Sequence, residues 1–265
     1  MEKAKNHCRH LPMAASYSGL FEGGEREIVR KMIDGLDRPK DIIEKVIIGD
    51  SLIGVLAGGR LGLSSHLGSG SHGKHGTLVG ELCGQTLYDG ARLSLQPDMI
   101  STAIGIAAIN AGFTGDVSEE SSPIQEEIVT LSGSGEVALV GKFPFFDWLK
   151  ERVKKLHLFE LQNVGGKVPE DQWSTTLQRA SVAAITSTVF LTRYSYYYLS
   201  NTKNAKTILI GPSTPLTPVL FEFGADVLAG SRVSDPERVI ANLHGNGCYS
   251  EVVKGGGIEF VLLRK

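Results

Sequence analysis

The sequence is poor in cysteine, has no excess of either charge and contains no long apolar run. Its 265 residues include three cysteines, Cys8, Cys83 and Cys248, at spacings that match neither a zinc ribbon nor a redox pair. The formal net charge is −2, which argues against a nucleic-acid-binding surface. No segment is apolar over the length of a signal peptide or a membrane span. These absences predict a soluble cytoplasmic protein with no nucleic-acid or membrane partner.

The first 113 residues combine strand and helix patterns. Apolar residues recur every three or four positions over residues 25–36, which predicts a helix. Three β-rich runs over residues 45–67, separated by glycine-containing turns, predict an antiparallel meander. Residues 84–95 and 98–113 then have helical patterns, the second with a small-residue face that suits close packing. This order, strands first and helices after, predicts an α+β domain.

A change of composition marks the predicted domain boundary. Residues 114–135 are acidic and rich in serine and glycine, as is typical of a linker. The boundary divides the chain into an N-terminal domain, residues 1–125, and a C-terminal domain, residues 126–265. The second domain alternates strands and helices, which predicts a Rossmann-like, doubly wound, mostly parallel sheet. Its predicted strands cover residues 136–140, 156–161, 181–185, 207–210, 226–229 and 258–263.

The stretch 205–235 has the clearest strand–helix–strand pattern. Its first strand stops at the turn Gly211-Pro212-Ser213-Thr214, which has two hydroxyls and no charge. Thr217 suits the N-cap of the following helix, Pro218 its first position, and Gly224 the residue after its end. Since ligands of open α/β sheets bind beyond the carboxyl ends of the strands, this turn is a candidate ligand contact.

Predicted turns follow the strands of the second domain and share its carboxyl edge. Unpaired N–H groups, helix dipoles and hydroxyls at that edge favour an anionic or polyhydroxyl ligand. Glu160 ends the second strand, where Rossmann proteins keep an acid for a ribose hydroxyl, but the first turn lacks the Gly-x-Gly-x-x-Gly fingerprint. Nucleotide binding is therefore left open. The turns cover residues 141–144, 160–163, 186–188, 211–214 and 230–231.

A glycine- and histidine-rich loop covers residues 66–75. Residues 68–73 match the dinucleotide fingerprint and residues 68–74 the P-loop spacing, with His75 in place of the required Ser or Thr. Since residues 77–80 are predicted to be extended, no helix N-terminus would face a phosphate, and a hairpin loop is favoured. The loop histidines match no standard site, so a solvated loop is favoured over a metal site. The candidate ligands are His66, His72 and His75, with His7, Cys8 and His10 near the N-terminus.

Other patterns in the chain do not identify an enzyme. An aromatic stripe at helical spacing, formed by Phe190, Tyr194, Tyr197 and Tyr198, is interpreted as a packing face rather than a ligand-stacking surface. The sequence has no Gly-x-Ser-x-Gly elbow, no His-Glu-x-x-His and no paired carboxylates at acid–base spacing. A hydrolase is therefore disfavoured.

Several segments together resemble the putative heavy-metal chelation family. They are GPSTPLTPVLFEFGADVLAGSRVSDPE, the GKFP turn followed by LFEL, AITSTVFLT, and AIGIAAINA before the linker. The resemblance extends over nearly the whole chain and is most specific at GPSTPL. It implies an N-terminal domain similar to the enolase N-terminal domain, a Rossmann-like C-terminal domain, and a site in the cleft between them.

The resemblance also implies which residues contact the ligand. One departure is the segment Phe190-Leu191-Thr192-Arg193, which stands where an asparagine-bearing helix is expected, so that an amide contact is missing or replaced. The implied ligand-binding residues are Asn110 from the N-terminal domain and Gly141, Phe143, Pro144, Glu160, Thr186, Ser187, Thr188, Gly211, Pro212, Ser213 and Thr214 from the C-terminal domain.

Two hypotheses about function follow. In the first, the cleft binds a small polar or anionic ligand, with a heavy-metal ion or a metal chelate as candidates. In the second, the chain is an enzyme that acts on a small metabolite with a nucleotide-like cofactor near Glu160. The absence of a recognisable nucleophile–base pair favours binding. The cofactor is undetermined, with a transition metal as the candidate, and a homo-oligomer is left open.

Overall fold

The structure is a computed structural model that describes residues 22–67, 76–113, 118–119, 123–244 and 249–265. Residues 22–113 are referred to below as the N-terminal part and residues 118–265 as the C-terminal part. Within the described residues, no helix has the length and apolar character needed to cross a membrane.

The N-terminal part is a small antiparallel sheet with helices. Its elements are α1 (Glu22–Asp34), β1 (Ile43–Ile48), β2 (Leu52–Ala57), β3 (Arg60–Ser65), α2 (Gly76–Leu82), α3 (Leu87–Ala91), a 3-10 turn (Arg92–Leu95) and α4 (Met99–Gly112). The three strands pair in the order β1-β2-β3, antiparallel throughout. This confirms the predicted meander and the mixed α+β character. Asp98 caps α4, because its carboxylate accepts the Ser101 N–H at 2.8 Å.

One prediction in this part was wrong. Residues 77–80, predicted to be extended, lie in the helix α2. The run Thr77-Leu78-Val79 is β-branched at both ends, and this propensity was overridden by packing, since Leu82 of α2 is buried in the core beside α3 and α4. The motif residues 68–75 before this helix lie outside the described residues.

The C-terminal part is a large mixed sheet flanked by helices. Its elements are β4 (Ser118–Glu119), α5 (Ile124–Ser132), β5 (Glu136–Val140), α6 (Phe146–Lys150), β6 (Lys155–Phe159), a 3-10 turn (Glu170–Gln172), α7 (Trp173–Leu177), β7 (Val182–Thr186), α8 (Val189–Thr192), α9 (Ser195–Asn201), β8 (Lys206–Ile210), α10 (Val219–Glu222), β9 (Val227–Val233), α11 (Pro236–His244), α12 (Tyr249–Lys254) and β10 (Ile258–Arg264). The strand order is β4-β10-β9-β8-β7-β5-β6.

Pairing in the large sheet matches the predicted Rossmann-like type. Strands β6, β5, β7, β8 and β9 are parallel to their neighbours, and β10 and β4 extend the sheet antiparallel. Successive residues of β7 alternate between the cores on the two faces of the sheet, Val182 and Ala184 on one and Ala183 and Ile185 on the other. A parallel sheet covered on both faces needs such continuous apolar strands.

Three details of the C-terminal part differ from the sequence predictions. The helix expected through the aromatic stripe is broken into α8 and α9 by Arg193, which has a left-handed backbone (φ 62°). Gly230 and Ser231, predicted to form a turn, lie inside β9 because β10 pairs with β9 along its full length. The acidic segment 114–135, predicted to be a linker, contains β4 and the helix α5, whose Ile128 is fully buried.

The small sheet lies between helices of both parts of the chain. One face of it, including Ile53 and Val55, shares a core with α4 and with residues of the large sheet such as Ile185. The other face, including Leu61 and Leu63, packs against Val239 and Leu243 of α11 and Val252 of α12. The two parts therefore bury apolar surface against each other on both faces of the small sheet.

Candidate functional site

The strand order reverses at β5. Its two successors in the chain, β6 and β7, lie on opposite sides of it, so the loops that follow β5 and β7 diverge. Open α/β sheets bind their ligands at such a switch point, beyond the carboxyl ends of the strands. A pocket of about 210 Å³ opens there. This switch-point pocket is lined by Val140, Gly141, Lys142, Phe143, Phe159, Glu160, Leu161, Gln162, Thr186, Thr188, Val189, Thr192 and Tyr198.

Glu160 contributes the carboxylate of the pocket. It follows the last residue of β6, and its two oxygens accept main-chain N–H groups, from Lys142 at 3.2 Å and from Gln162 at 3.2 Å. These bonds tie the loop after β5 to the loop after β6 and fix the orientation of the side chain. The pocket therefore presents a fixed acceptor at its rim.

Threonine hydroxyls line the pocket at the carboxyl end of β7. The Oγ1 atoms of Thr186 and Thr188 lie 3.1 Å apart, and the Thr188 N–H donates to Thr186 Oγ1 at 3.4 Å. A Cβ atom at Gly141 would lie 2.8 Å from the Thr186 methyl group, and Gly141 has φ 87°. Glycine at this position lets the loops after β5 and β7 approach closely, and the hydroxyl pair lines the same pocket as Glu160.

Aromatic side chains close the pocket. Tyr198 is 2% exposed, and burial raises the pKa of its phenol well above the ordinary value, so the ring is neutral near pH 7. Phe143 stacks on Phe145 with ring centroids 5.0 Å apart. The Lys142 ammonium group lies 5.4 Å from the centroid of the Phe146 ring, and it supplies a positive charge at the open side.

The turn after β8 lies at the junction of the two parts rather than in this pocket. The Ser213 side chain is fully buried. Its Oγ accepts the Ser65 N–H at 2.7 Å and lies 3.3 Å from Ser64 Oγ. Asn110 on α4 donates from Nδ2 to the Leu63 carbonyl at 2.7 Å and to the Pro212 carbonyl at 3.4 Å. These bonds join the turn to β3 and α4.

The structure thus divides the predicted site residues into two groups. Gly141, Phe143, Glu160, Thr186 and Thr188 line the switch-point pocket. The second group lies at or next to the junction. Pro144 belongs to neither group, because it is exposed and does not line the pocket. The junction group consists of Asn110, Ser187, Gly211, Pro212, Ser213 and Thr214.

Three buried polar atoms in the junction group have no hydrogen-bond partner among the described residues. They are Asn110 Oδ1, Ser187 Oγ and Thr214 Oγ1. The Ser187 hydroxyl faces the Gly211 backbone, since a Cβ atom at Gly211 would lie 2.7 Å from Ser187 Oγ. An unpartnered buried polar group costs about 1–3 kcal/mol, so these atoms mark the junction as a place that suits a further polar partner.

The described residues do not fit a resident heavy-metal ion. They contain no group of three or more His, Cys, Asp or Glu side chains that could hold a metal. The pocket offers one carboxylate and several hydroxyls, whereas heavy-metal ions of the soft class prefer thiolate and imidazole. Cys83 is exposed.

The histidine loop can be tested at one residue. His66 was predicted to lie in a solvated loop, and this is wrong, because His66 is 9% exposed and its Nδ1 lies 2.6 Å from the Gly49 carbonyl oxygen. The remaining candidate ligands of the loop and of the N-terminus lie outside the described residues. They are His72, His75, His7, Cys8 and His10.

The pocket lining includes apolar and polar residues that were not among the predicted site residues, and the polar ones are Lys142, Gln162, Thr192 and Tyr198. Lys142 and Gln162 belong to predicted turns, and their positions next to predicted site residues could have identified them. Tyr198 was assigned to a packing face, and its contacts with Trp173 and Tyr197 confirm that assignment. Tyr198 also lines the pocket, and no sequence pattern indicated this second role.

Two family models together match most of the chain. Residues 125–262 match the family model DUF364 and residues 29–113 the family model DUF4213, and both models are described as putative heavy-metal chelation. A comparison with curated proteins gives no match.

Two solved structures are similar in fold. One is a protein of unknown function from the DUF364 family of Desulfitobacterium hafniense, with a TM-score of 0.78 and 24% identity over 91% of this chain and 98% of that chain. The other, a protein of unknown function from the same family of Pyrococcus horikoshii, has a TM-score of 0.70 and 16% identity over 91% of this chain and 99% of that chain. At this identity the likeness concerns the fold alone.

Proposed function

The chain belongs to the putative heavy-metal chelation family, and on that premise we propose that it binds a small polar or anionic ligand in the switch-point pocket. A heavy metal would enter this pocket as a chelate, with most metal donors supplied by the small molecule. A bare ion would meet one carboxylate and several hydroxyls among the described lining residues, a donor set that suits hard cations better than soft ones.

The observation that carries the proposal is the fixed carboxylate beside the hydroxyl pair. Glu160 is oriented by two main-chain N–H groups, and the Thr186 and Thr188 hydroxyls can each donate or accept. Lys142 adds a positive charge at the rim. These groups suit a ligand with hydroxyl or amine groups facing Glu160 and an anionic group facing Lys142. A volume of about 210 Å³ limits the ligand to a small metabolite.

The junction supports a functional link between the pocket and the N-terminal part. Ser187 lies between Thr186 and Thr188 in the chain, and its hydroxyl faces Gly211 of the turn that carries Ser213. We infer that a ligand contacting the two threonines is sensed at the junction. The unpartnered atoms Asn110 Oδ1 and Thr214 Oγ1 support the presence of further polar groups there.

Native mass spectrometry of the purified chain tests the proposal. We expect a retained small molecule, or stabilisation in a thermal-shift panel of hydroxy acids and amino acids offered with and without Ni²⁺, Co²⁺ and Zn²⁺. Glu160→Gln should weaken binding by about tenfold or more, because it removes the charge that the ligand pairs with. Glu151→Gln is the matched control, since Glu151 is exposed and lies outside the pocket. A chain that retains nothing and is stabilised by no panel member contradicts the proposal.

The second candidate function is an enzyme with a nucleotide-like cofactor. The observation that favours it is the position of Glu160 directly after β6, the strand beside β5, where Rossmann-like proteins hold a ribose hydroxyl with an acid. Titration with adenosine, AMP and NAD separates the two functions, because only this candidate requires a ribose-dependent affinity that Glu160→Gln removes. If a substrate is found by screening, unchanged turnover in Glu160→Gln excludes Glu160 from the mechanism.

A further inference from the structure

A second depression lies on the N-terminal part, between α1, α3, the 3-10 turn Arg92–Leu95 and the two residues that follow this turn. Its volume is about 470 Å³, and it shares no lining residue with the switch-point pocket. Its charged lining residues are Arg26, Asp89 and Arg92, and Leu93, Gln96 and Pro97 complete most of its wall. It is called the arginine depression below.

The two arginines of the depression are exposed and uncommitted. Among the residues that the structure describes, neither the Arg26 nor the Arg92 guanidinium has a hydrogen-bond or ion-pair partner. The lining carboxylate of Asp89 is bonded instead to the Thr86 hydroxyl at 2.5 Å. Two planar guanidinium groups, each with a fork of N–H donors, therefore face a shared space.

A third guanidinium is held at the same place from the C-terminal part. Arg193 donates from Nη2 to the carbonyl oxygen of Gln96, a residue of the depression wall. Arg193 is also the one non-glycine residue with positive φ among the described residues. A left-handed backbone at a side chain of this size persists only where surrounding contacts enforce it, and such positions concentrate at functional sites.

Three further acids are next in sequence to residues of the depression wall. The Asp98 carboxylate accepts the Ser101 N–H, and the Glu25 carboxyl is bonded to Ser195 and to the Tyr196 N–H and interacts with the charge of Arg193. Glu27 is exposed. Among the described residues, none of the three forms an ion pair with Arg26 or Arg92.

We propose that the arginine depression binds a compact multivalent oxyanion of the phosphate or polycarboxylate class. The free guanidinium groups of Arg26 and Arg92 bind the anion in bidentate fashion, and the Arg193 charge adds to the local potential. Because the depression adjoins α1 and the contact of Arg193 with Gln96, the bound anion lies where the two parts of the chain meet.

Isothermal titration of the full chain at low ionic strength, with pyrophosphate and separately with tricarballylate, a tricarboxylate without a hydroxyl group, tests this site. We expect saturable one-site binding of at least one probe, and the preferred probe identifies the phosphate or the polycarboxylate class. The double substitution Arg26→Ala with Arg92→Ala should weaken binding by about tenfold or more. The double substitution Arg26→Lys with Arg92→Lys keeps the charges but loses the planar guanidinium forks. Its affinity should therefore lie between those of the unmodified chain and the double alanine variant. Since both side chains are exposed, unchanged thermal unfolding verifies that the variants fold.

Two controls separate this site from general electrostatics. Arg30→Ala removes an equal charge one turn along α1, from an exposed residue outside the depression, and Lys150→Ala removes a charge from an exposed residue of α6 outside both pockets. Both should bind the probe as the unmodified chain does. The proposal is overturned if neither probe saturates, if the double alanine variant binds normally, or if either control loses as much affinity as that variant.

Discussion

At the scale of single residues, Glu25 is a buried acid that links the two parts of the chain. Its carboxyl on α1 accepts the Ser195 hydroxyl at 2.6 Å and the Tyr196 N–H at 2.9 Å. Burial raises its pKa to about 7, although those two bonds and the charge of Arg193 lower it. The N-terminus of α9 is thereby capped by a side chain from the other part of the chain.

The raised pKa of Glu25 predicts a stability change with pH of a definite sign. Below about pH 4.5 the carboxyl is protonated in both states, and as the pH rises toward 7 the unfolded state releases the proton first. The free energy of unfolding therefore falls between pH 4.5 and 7, by on the order of 3 kcal/mol from this group. Glu25→Gln cannot ionise and should flatten that fall. Urea unfolding of both proteins at pH 4.5, 6 and 7.5 measures it.

A neighbouring carboxylate provides the control for the pH series. Glu27 lies on the same helix and is exposed, so Glu27→Gln should retain the pH dependence of the unmodified chain. An equally steep fall in Glu25→Gln and in the unmodified chain would show that the dependence originates elsewhere.

Single site residues were predictable where strand order alone decided their position. Glu160 and Thr186 were identified because they lie at the carboxyl ends of parallel strands, and both line the pocket. Ser213 lies in the turn after the parallel strand β8, yet its hydroxyl accepts the Ser65 N–H of β3. Sequence cannot show which side of a turn each side chain faces, and in the 186–188 loop adjacent residues divide between the pocket and the junction. Whether Ser213 and Thr214 contact the ligand stays a prediction.

At the scale of elements, α4 packs against β3 without space for a side chain at Gly62. A Cβ atom there would collide with the backbone oxygen of Ala107 and the backbone nitrogen of Ala111. We expect Gly62→Ala to destabilise the chain by about 3 kcal/mol or more, because backbone must move and the helix must separate from the sheet. The thermal unfolding midpoint measures this effect.

At Gly80 we expect substitution by alanine to stabilise the chain rather than destabilise it. It lies in α2, and a Cβ atom at Gly80 would meet nothing within 4 Å. Gly80→Ala should therefore raise the free energy of unfolding by about 0.5–1 kcal/mol, from helix propensity and reduced freedom of the unfolded chain. Equal effects of the two substitutions would contradict the close packing of α4 on β3.

Elements with strong local patterns were predictable, and those fixed by tertiary contacts were not. The meander β1-β2-β3, the helix α4 and the parallel strands follow from periodicity and turn residues. The helix α5 was missed because its sequence is acidic and its burial rests mainly on Ile124 and Ile128. The strand β9 is longer than its apolar run because β10 pairs with it through Gly230 and Ser231.

At the scale of the whole molecule, the small sheet packs between elements from both parts of the chain, and the division into two consecutive domains stays a prediction. Which partner covers each face of the small sheet depends on packing between residues about 180 positions apart, such as Leu61 with Val239 and Leu243. Local patterns hold no information on such pairs, so the extent of this packing needed the structure.

This shared packing predicts that the two parts unfold together. Leu243 of α11 is 3% exposed and packs against the small sheet. Leu243→Ala should lower the free energy of unfolding by about 2–5 kcal/mol, and Leu131→Ala, at an exposed leucine of α5, should change it by less than about 1 kcal/mol. Native-state hydrogen exchange then distinguishes the architectures. If the parts are coupled, Leu243→Ala lowers the protection of slowly exchanging amides in β2 and in β8 by the same free energy. If they unfold independently, the amides of β8 keep their protection while those of β2 lose it, and two calorimetric transitions appear instead of one.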